Sequence, residues 1–279
     1  MLFPFRDNNP TRSTPVVTYG LVAVNVAAYL WLSALPARQE QMAVLAYGFI
    51  PARIGQLIEP KPITVEIPRR QLQTPEGLVV EFERFQFPPQ PLQILLSLVT
   101  CMFLHGGWWH LIGNMWFLSI FGNNVEDRLG SAVYLMFYLG GGLAATAAQW
   151  LINPASTSSV IGASGAVAAV LGAYAITWPW ARIESLVFLF VFFTIIELPA
   201  LFVLGLWFVG QLLEAMQVLN LPGNQLAYSS GVAWWAHVGG FVAGLLAMPP
   251  LSDLVRRSRR SGADEEPDDE PAAGPEVFL

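Results

Sequence analysis

Three histidines occur in the 279 residues, and His105, His110 and His237 all fall in or beside long apolar runs. An ionisable ring at membrane depth is costly, so each is a candidate for function. The plain alternative, that a lone histidine is a hydrogen-bonding strut between helices, carries similar weight for each taken singly. Ser164 stands in IGASGA (161–166), flanked by Gly162 and Gly165, where an apolar run begins. Glycines allow a sharp turn and close approach by a substrate, and a helix start offers unpaired N–H groups to a developing oxyanion. A serine beside an imidazole is the pairing that nucleophilic acyl transfer needs. His110 and Asn114 are four residues apart and share one helix face. Both can donate hydrogen bonds, as a side-chain oxyanion hole requires, although they would serve equally as a polar clamp. His105 reads as a loop-structuring residue, and Glu126 and Arg128 as anchors at the far end of the same helix.

Apolar runs of bilayer length must position these groups. They occur at about 15–35, 109–124, 131–152, 160–180, 186–213 and 232–250, against roughly 20 residues for one crossing. Glu197, Leu198 and Pro199 interrupt the fifth run. It is read as one span from Leu198 to Leu213, with the preceding LVFLFVFFTII (186–196) at the interface or beginning a tilted helix. Six spans result, and the second, fourth and sixth run inward from one face. His110 then lies near the start of its span, Ser164 about four residues into the next and His237 about five into the last. At 1.5 Å per residue, Ser164 and His237 sit roughly 6–8 Å deep in the same leaflet. Gly240 and Gly244 form a GxxxG face, for which Gly165, Ala168, Ala169 and Gly172 are the natural partners. No acidic residue falls at that depth to orient His237, so the arrangement reads as a dyad. Glu214 lies at the outer end of the fifth run.

Composition supports a membrane chain. It is 54% hydrophobic and 12% charged, against about 25% charged in soluble domains, and its mean hydropathy is +0.50. The net charge of −6 is concentrated at one end, because seven of the 20 acidic residues follow residue 260. The near-neutral body gives no reason to expect nucleic acid. Cys101 is the sole cysteine, so no internal disulfide is possible. The opening residues, MLFPFRDNNPTRSTP, are polar and Pro-rich and do not read as a cleavable leader.

Eight of the 14 basic residues fall on the side that the six-span reading gives to both termini, and none in the loops 153–159 and 214–231. The remaining six lie in residues 37–92 among six glutamates. The expectation is cytoplasmic termini in a plasma (inner) membrane. Residues 37–92 read as an extramembrane insertion. Within it ITVEIP and GLVVEFERFQF flank the turn signal TPEG, the pattern of a hairpin. The Ser-, Pro- and acid-rich end is expected to be disordered.

Four segments together resemble the rhomboid family: FLHGGWWHLIGN (103–114), FGNNVEDRLG (121–130), IGASG (161–165) and AHVGGFVAG (236–244). The resemblance spans roughly 95–250, with matching order and spacing. It implies an all-α integral membrane protein, a six-transmembrane-helix bundle over 16–255 with the insertion in its first loop. Residues 1–15 would be a cytoplasmic segment and 256–279 a disordered acidic tail. It further implies a serine endopeptidase that cuts transmembrane protein substrates within the lipid bilayer, without metal or cofactor. Ser164 would be nucleophile and His237 general base, with His110, Asn114 and the Ser164 N–H as oxyanion hole.

Two departures stand out. Ala168 occupies a position four after the serine that is often aromatic in the family, so another group must hold the His237 ring. Leu96 and Ser97 replace a Trp-Arg pair found in some members. The rival readings are a rhomboid-fold pseudoprotease that escorts clients and a small-solute transporter. Retention of all four polar residues disfavours the first, and the lack of pseudosymmetric halves disfavours the second.

Overall fold

The computed structural model describes residues 2–74, 77–189, 192–219 and 232–263. Eight α-helices carry most of it: α1 (Val16–Ser33), α2 (Ala37–Tyr47), α3 (Pro91–Thr100), α4 (Trp108–Leu129), α5 (Ser131–Ile152), α6 (Ser164–Thr177), α7 (Ala200–Leu219) and α8 (Trp234–Ala263). Within α1, α5, α7 and α8 are four stretches long and apolar enough to cross a membrane. A fifth results if α3 and its following turn, bent 79° from α4, are counted with α4 as one span. With only 14 residues, α6 is short for a crossing. Its apolar residues cover every side, and Gly165–Ala175 is buried throughout, as befits a helix surrounded by others. It packs against α4, α5, α7 and α8.

The fold is not purely helical. Where the sequence suggests a segment at the interface or the start of a tilted helix at 186–196, the chain is not helical and forms β4 (Arg182–Leu189) and β5 (Phe192–Pro199), paired antiparallel from Arg182↔Pro199 to Leu189↔Phe192. The aromatic and β-branched residues that made this stretch look membrane-like are also the best strand formers. The N-terminal segment adds β1 (Leu2–Asp7) beside β4, giving the order β1-β4-β5. Asp7 latches this sheet to the bundle, accepting hydrogen bonds from Tyr174 Oη at 2.7 Å and Asn124 Nδ2 at 2.8 Å. The helix of the fifth apolar run, α7, accordingly begins at Ala200 rather than Leu198. At the other end, α8 continues through Arg256 to Ala263, where a disordered tail is expected from residue 256; residues 264–279 lie outside the described part.

The two anchors expected on α4 sit about 25 Å from its first turn, from 1.5 Å of rise per residue. Buried Glu126 accepts hydrogen bonds from the N–H groups of Val17 and Thr18 at 2.9 and 2.8 Å, and from the hydroxyls of Thr18 and Ser131. Pro15 at the α1 N-cap supplies no capping side chain, so a carboxylate from α4 satisfies two of the orphan donors there. Arg128 Nε donates to Ser252 Oγ at 3.3 Å, joining α4 to α8.

Between α1 and α3, residues Ile63–Thr74 (β2) and Gly77–Phe87 (β3) pair antiparallel. Val65 and Phe87 pack with Leu45 and Ile50 in a small apolar cluster. Arg53, buried beside it, lies over the Phe87 ring at 5.2 Å and donates to Gln93 Oε1 at 3.1 Å.

Candidate active site

The loop leading to Ser164 is held by the segment between α1 and α3. Phe49 and Val160 exchange backbone hydrogen bonds at 3.0 and 2.7 Å, Ala52 N–H donates to Ser156 O at 2.9 Å, and Ser159 Oγ donates to Val44 O at 3.1 Å. Gly162 N–H then donates to Cys101 O at 2.9 Å. Gly162 has φ +127°, a conformation costly for any residue with a Cβ. A Cβ there would also lie 2.7 Å from His110 Nε2 and 3.6 Å from Ser164 Oγ. The glycine thus makes the turn and leaves open the space between those two atoms.

Ser164 is the first residue of α6 rather than several residues into it. Its position is set by the strapped entering loop, not by preceding helical turns. Its N–H is one of the orphan donors of a helix start. His237 lies in the first turn of α8, buried, with Nε2 2.8 Å from Ser164 Oγ. That contact requires two helix backbones to touch, and they do. A Cβ added at Gly240 would overlap the Gly165 carbonyl, one at Gly244 the Ala169 carbonyl, and one at Gly172 the Phe241 carbonyl. Of the expected partners, Gly165, Ala169 and Gly172 line the α8 seam.

His110 is exposed in the first turn of α4 and Asn114 is buried one turn later. Asn114 Nδ2 has no acceptor among the described residues, leaving a donor available to a bound group. His105 is fully buried and stands edge-on to the His110 ring, with centroids 5.0 Å apart and planes at 71°; it touches the site through His110. Glu126 and Arg128 are not part of it.

Three contacts of His237 escape the sequence reading. With Ala168 behind Ser164, the His237 ring is flanked instead by Trp207, centroids 6.1 Å apart, and by Trp234, 5.8 Å apart and edge-on. Its Nδ1 lies 2.6 Å from Gln211 Oε1. Trp207 and Gln211 are four apart on α7 and so share a face. The signal was present: Gln211 is the single strongly polar side chain between Ala200 and Leu213, and an amide at membrane depth calls for a partner. Chemically, the arrangement joins a hydroxyl to an imidazole whose far nitrogen faces a carbonyl oxygen, with potential anion donors alongside.

The family model for the rhomboid domain matches residues 93–253. "Rhomboid-like protein 11, chloroplastic" of Arabidopsis thaliana is 32% identical over 181 residues, 58% of this chain and 56% of that protein. "Rhomboid protein 1, mitochondrial" of Saccharomyces cerevisiae is 30% identical over 169 residues, 59% and 44% of the two chains. "Rhomboid-like protease 5" of Toxoplasma gondii is 31% identical over 162 residues, 54% of this chain and 16% of that one. The chain spans about half the length of the first two relatives. With its matched domain covering more than half of its residues and its apolar helices suited to a multi-pass membrane protein, the chain belongs to the rhomboid family.

Proposed function

We propose that this chain is an intramembrane serine endopeptidase that cleaves transmembrane segments of other proteins near their outer ends, using Ser164 and His237 as a dyad. The observation that carries this reading is the 2.8 Å contact between Ser164 Oγ and His237 Nε2 across a glycine-lined helix seam. His237 Nε2 takes the hydroxyl proton as Ser164 Oγ attacks the scissile carbonyl carbon. The oxyanion is held by the Ser164 N–H, His110 and Asn114. Collapse of the tetrahedral intermediate breaks the C–N bond, and His237 returns the proton to the leaving amine. Water entering from the outer face then attacks the ester with His237 again as base, releasing the acid and restoring Ser164. Substrate segments rich in Gly, Ala or Ser suit this site, because a peptide bond inside a stable helix is shielded.

The same reading takes six spans, with α1, α4, α5, α6, α7 and α8 crossing, and both termini on the cytoplasmic side of a plasma (inner) membrane. The distribution of basic residues supports this orientation, which puts His110, Ser164 and His237 in one leaflet. The burial of α6 within the bundle supports counting it as a span despite its length. The test is direct. Purified protein in liposomes is given a generic transmembrane substrate beside folded Ser164→Ala and His237→Ala proteins. Both variants should lose cleavage, by about 10⁶-fold if they follow the reference triad enzyme. Full cleavage by either sinks the dyad, and a wild type that binds such segments without cutting them points to a client-escorting role.

A further inference from the structure

We infer that Gln211 is a positioning residue for His237, fixing the tautomer and ring orientation that Ser164 requires; the inference rests on the proteolytic reading above. A neutral imidazole carries one ring proton and can place it on either nitrogen. To receive the Ser164 proton, Nε2 must be unprotonated, so the ring proton must sit on Nδ1. Gln211 Oε1, 2.6 Å from Nδ1, is a carbonyl oxygen that only accepts, so the amide held in this orientation favours the Nδ1–H form. The opposite tautomer would set Nε2–H against the Ser164 hydroxyl and leave Nδ1 without a donor in a buried position.

Two hydrogen bonds on opposite sides of the ring, Nδ1–H to Gln211 and Ser164 O–H to Nε2, define its plane. Trp207 and Trp234 close the remaining sides. This is the task of the third group in nucleophile–base–orienter arrangements. A carboxylate would do it more strongly, but at this depth it would carry an uncompensated charge. An amide supplies the acceptor with no net charge. Gln211 touches no reacting atom and takes up no proton, since an amide oxygen is barely basic. It also makes α7 a contributor to the site, through one face that carries Trp207 and Gln211.

The experiment uses the full chain in lipid nanodiscs, with Gln211→Leu, Gln211→Glu and Ser164→Ala proteins. Nitrogen-15 spectra of histidine-labelled protein read the tautomer without any substrate, and only three histidines need assignment. Wild type should show His237 as the Nδ1–H form, and Gln211→Leu should move it toward Nε2–H. In cleavage assays Gln211→Leu should lower kcat on the order of 10- to 100-fold with KM within about twofold, less than the roughly 10⁴-fold for the charged third member of a reference triad.

Gln211→Glu keeps the acceptor and the shape, so most of kcat should return. Its added negative charge favours imidazolium and should move the acid limb of the kcat/KM profile to higher pH. Among the described residues the other titratable group acting on His237 is His110, which is the same in every variant. An unchanged tautomer and kcat in Gln211→Leu would overturn the role of Gln211 alone. Equal loss in the Leu and Glu variants, with no shift of the profile, would reduce Gln211 to packing. A Ser164→Ala protein that still cleaves would sink the dyad and leave the tautomer result standing.

Discussion

Substituting Gly240 by alanine tests whether the α6–α8 seam sets the chemistry. The added Cβ would overlap the Gly165 carbonyl oxygen and lie 3.3 Å from Ala145 Cβ. Neither obstacle is the far end of a flexible side chain, so the helices must part. Real Cβ contacts almost never fall below 3.0 Å, which demands an opening on the order of 1 Å. His237 lies one turn before Gly240 and moves with it. A 2.8 Å hydrogen bond to Ser164 lengthened by that much passes beyond the range in which it counts as one. A 1 Å misplacement costs roughly 10²-fold in rate, or about 2.7 kcal/mol of activation free energy at 1.36 kcal/mol per decade.

Gly140→Ala on α5 is the matched control, since its Cβ would meet nothing within 4 Å; it should cleave like wild type. The assay is cleavage in liposomes at equal amounts of protein, with thermal unfolding and near-ultraviolet circular dichroism confirming the fold of each variant. If Gly240→Ala is folded and cleaves within about threefold of Gly140→Ala, the seam does not position the dyad.

His110→Ala and Asn114→Ala should each slow cleavage by about 10²–10³-fold without abolishing it, the usual effect of one lost oxyanion donor; a double variant cutting at the wild-type rate refutes that role. Burial, the largest influence on Asp7, holds its carboxyl above the ordinary 3.8 against the opposing pull of Tyr174, Arg6 and Asn124. A carboxyl raised by folding favours the folded state most while protonated, so β1 should dock most tightly below pH 3.8 and loosen as pH rises through the raised value. Hydrogen-exchange protection of Leu2–Asp7 should follow that course in wild type and flatten in Asp7→Asn, and protection that increases with pH refutes it. For orientation, cysteines placed at Thr74, Ser156 and Ser258 in a Cys101→Ser background should react with a membrane-impermeant reagent on intact cells at the first two positions only. Strong labelling at Ser258 with protection at Thr74 would invert the protein.

The helices of the bundle were legible because apolar run length is a coarse and robust signal. The runs at 15–35 and 131–152 each contain one long helix, a third helix starts in the run at 232–250 and continues past it, and the alternating stretches around TPEG pair as β2 and β3. The strands at 186–196 are not legible in the sequence, because composition separates membrane from water better than it separates strand from helix. Phe, Val and Ile serve both, and no period distinguishes them in a run this apolar. The two strands pair with each other, and β4 also gains a partner nearly 180 residues earlier. Leu2–Asp7 pairs with β4 and is pinned by Asp7 to Tyr174 and Asn124, and nothing local to 186–196 announces that strand.

The candidate site divides along the same line. Small residues spaced to let helices touch are visible in a sequence, because closeness is a property of each residue: Gly165, Ala169, Gly172, Gly240 and Gly244 can approach a neighbour in only a few ways. The identity of a hydrogen-bond partner is different, since it depends on how far one helix is rotated against another. A search confined to acidic residues at His237 depth finds none and stops at two residues. Yet what an imidazole requires opposite Nδ1 is an acceptor, and charge is incidental to that need. Between Ala200 and Leu213 the lone strongly polar side chain is Gln211, one turn from Trp207, and without a partner it would be stranded. The second run also carries His110, Ser119, Asn123 and Asn124, and only the structure shows that the buried Asn114 amide donor is left unpaired among the described residues. In one case the structure supplies the partner, and in the other it leaves a buried donor, the feature on which the proposed oxyanion role rests.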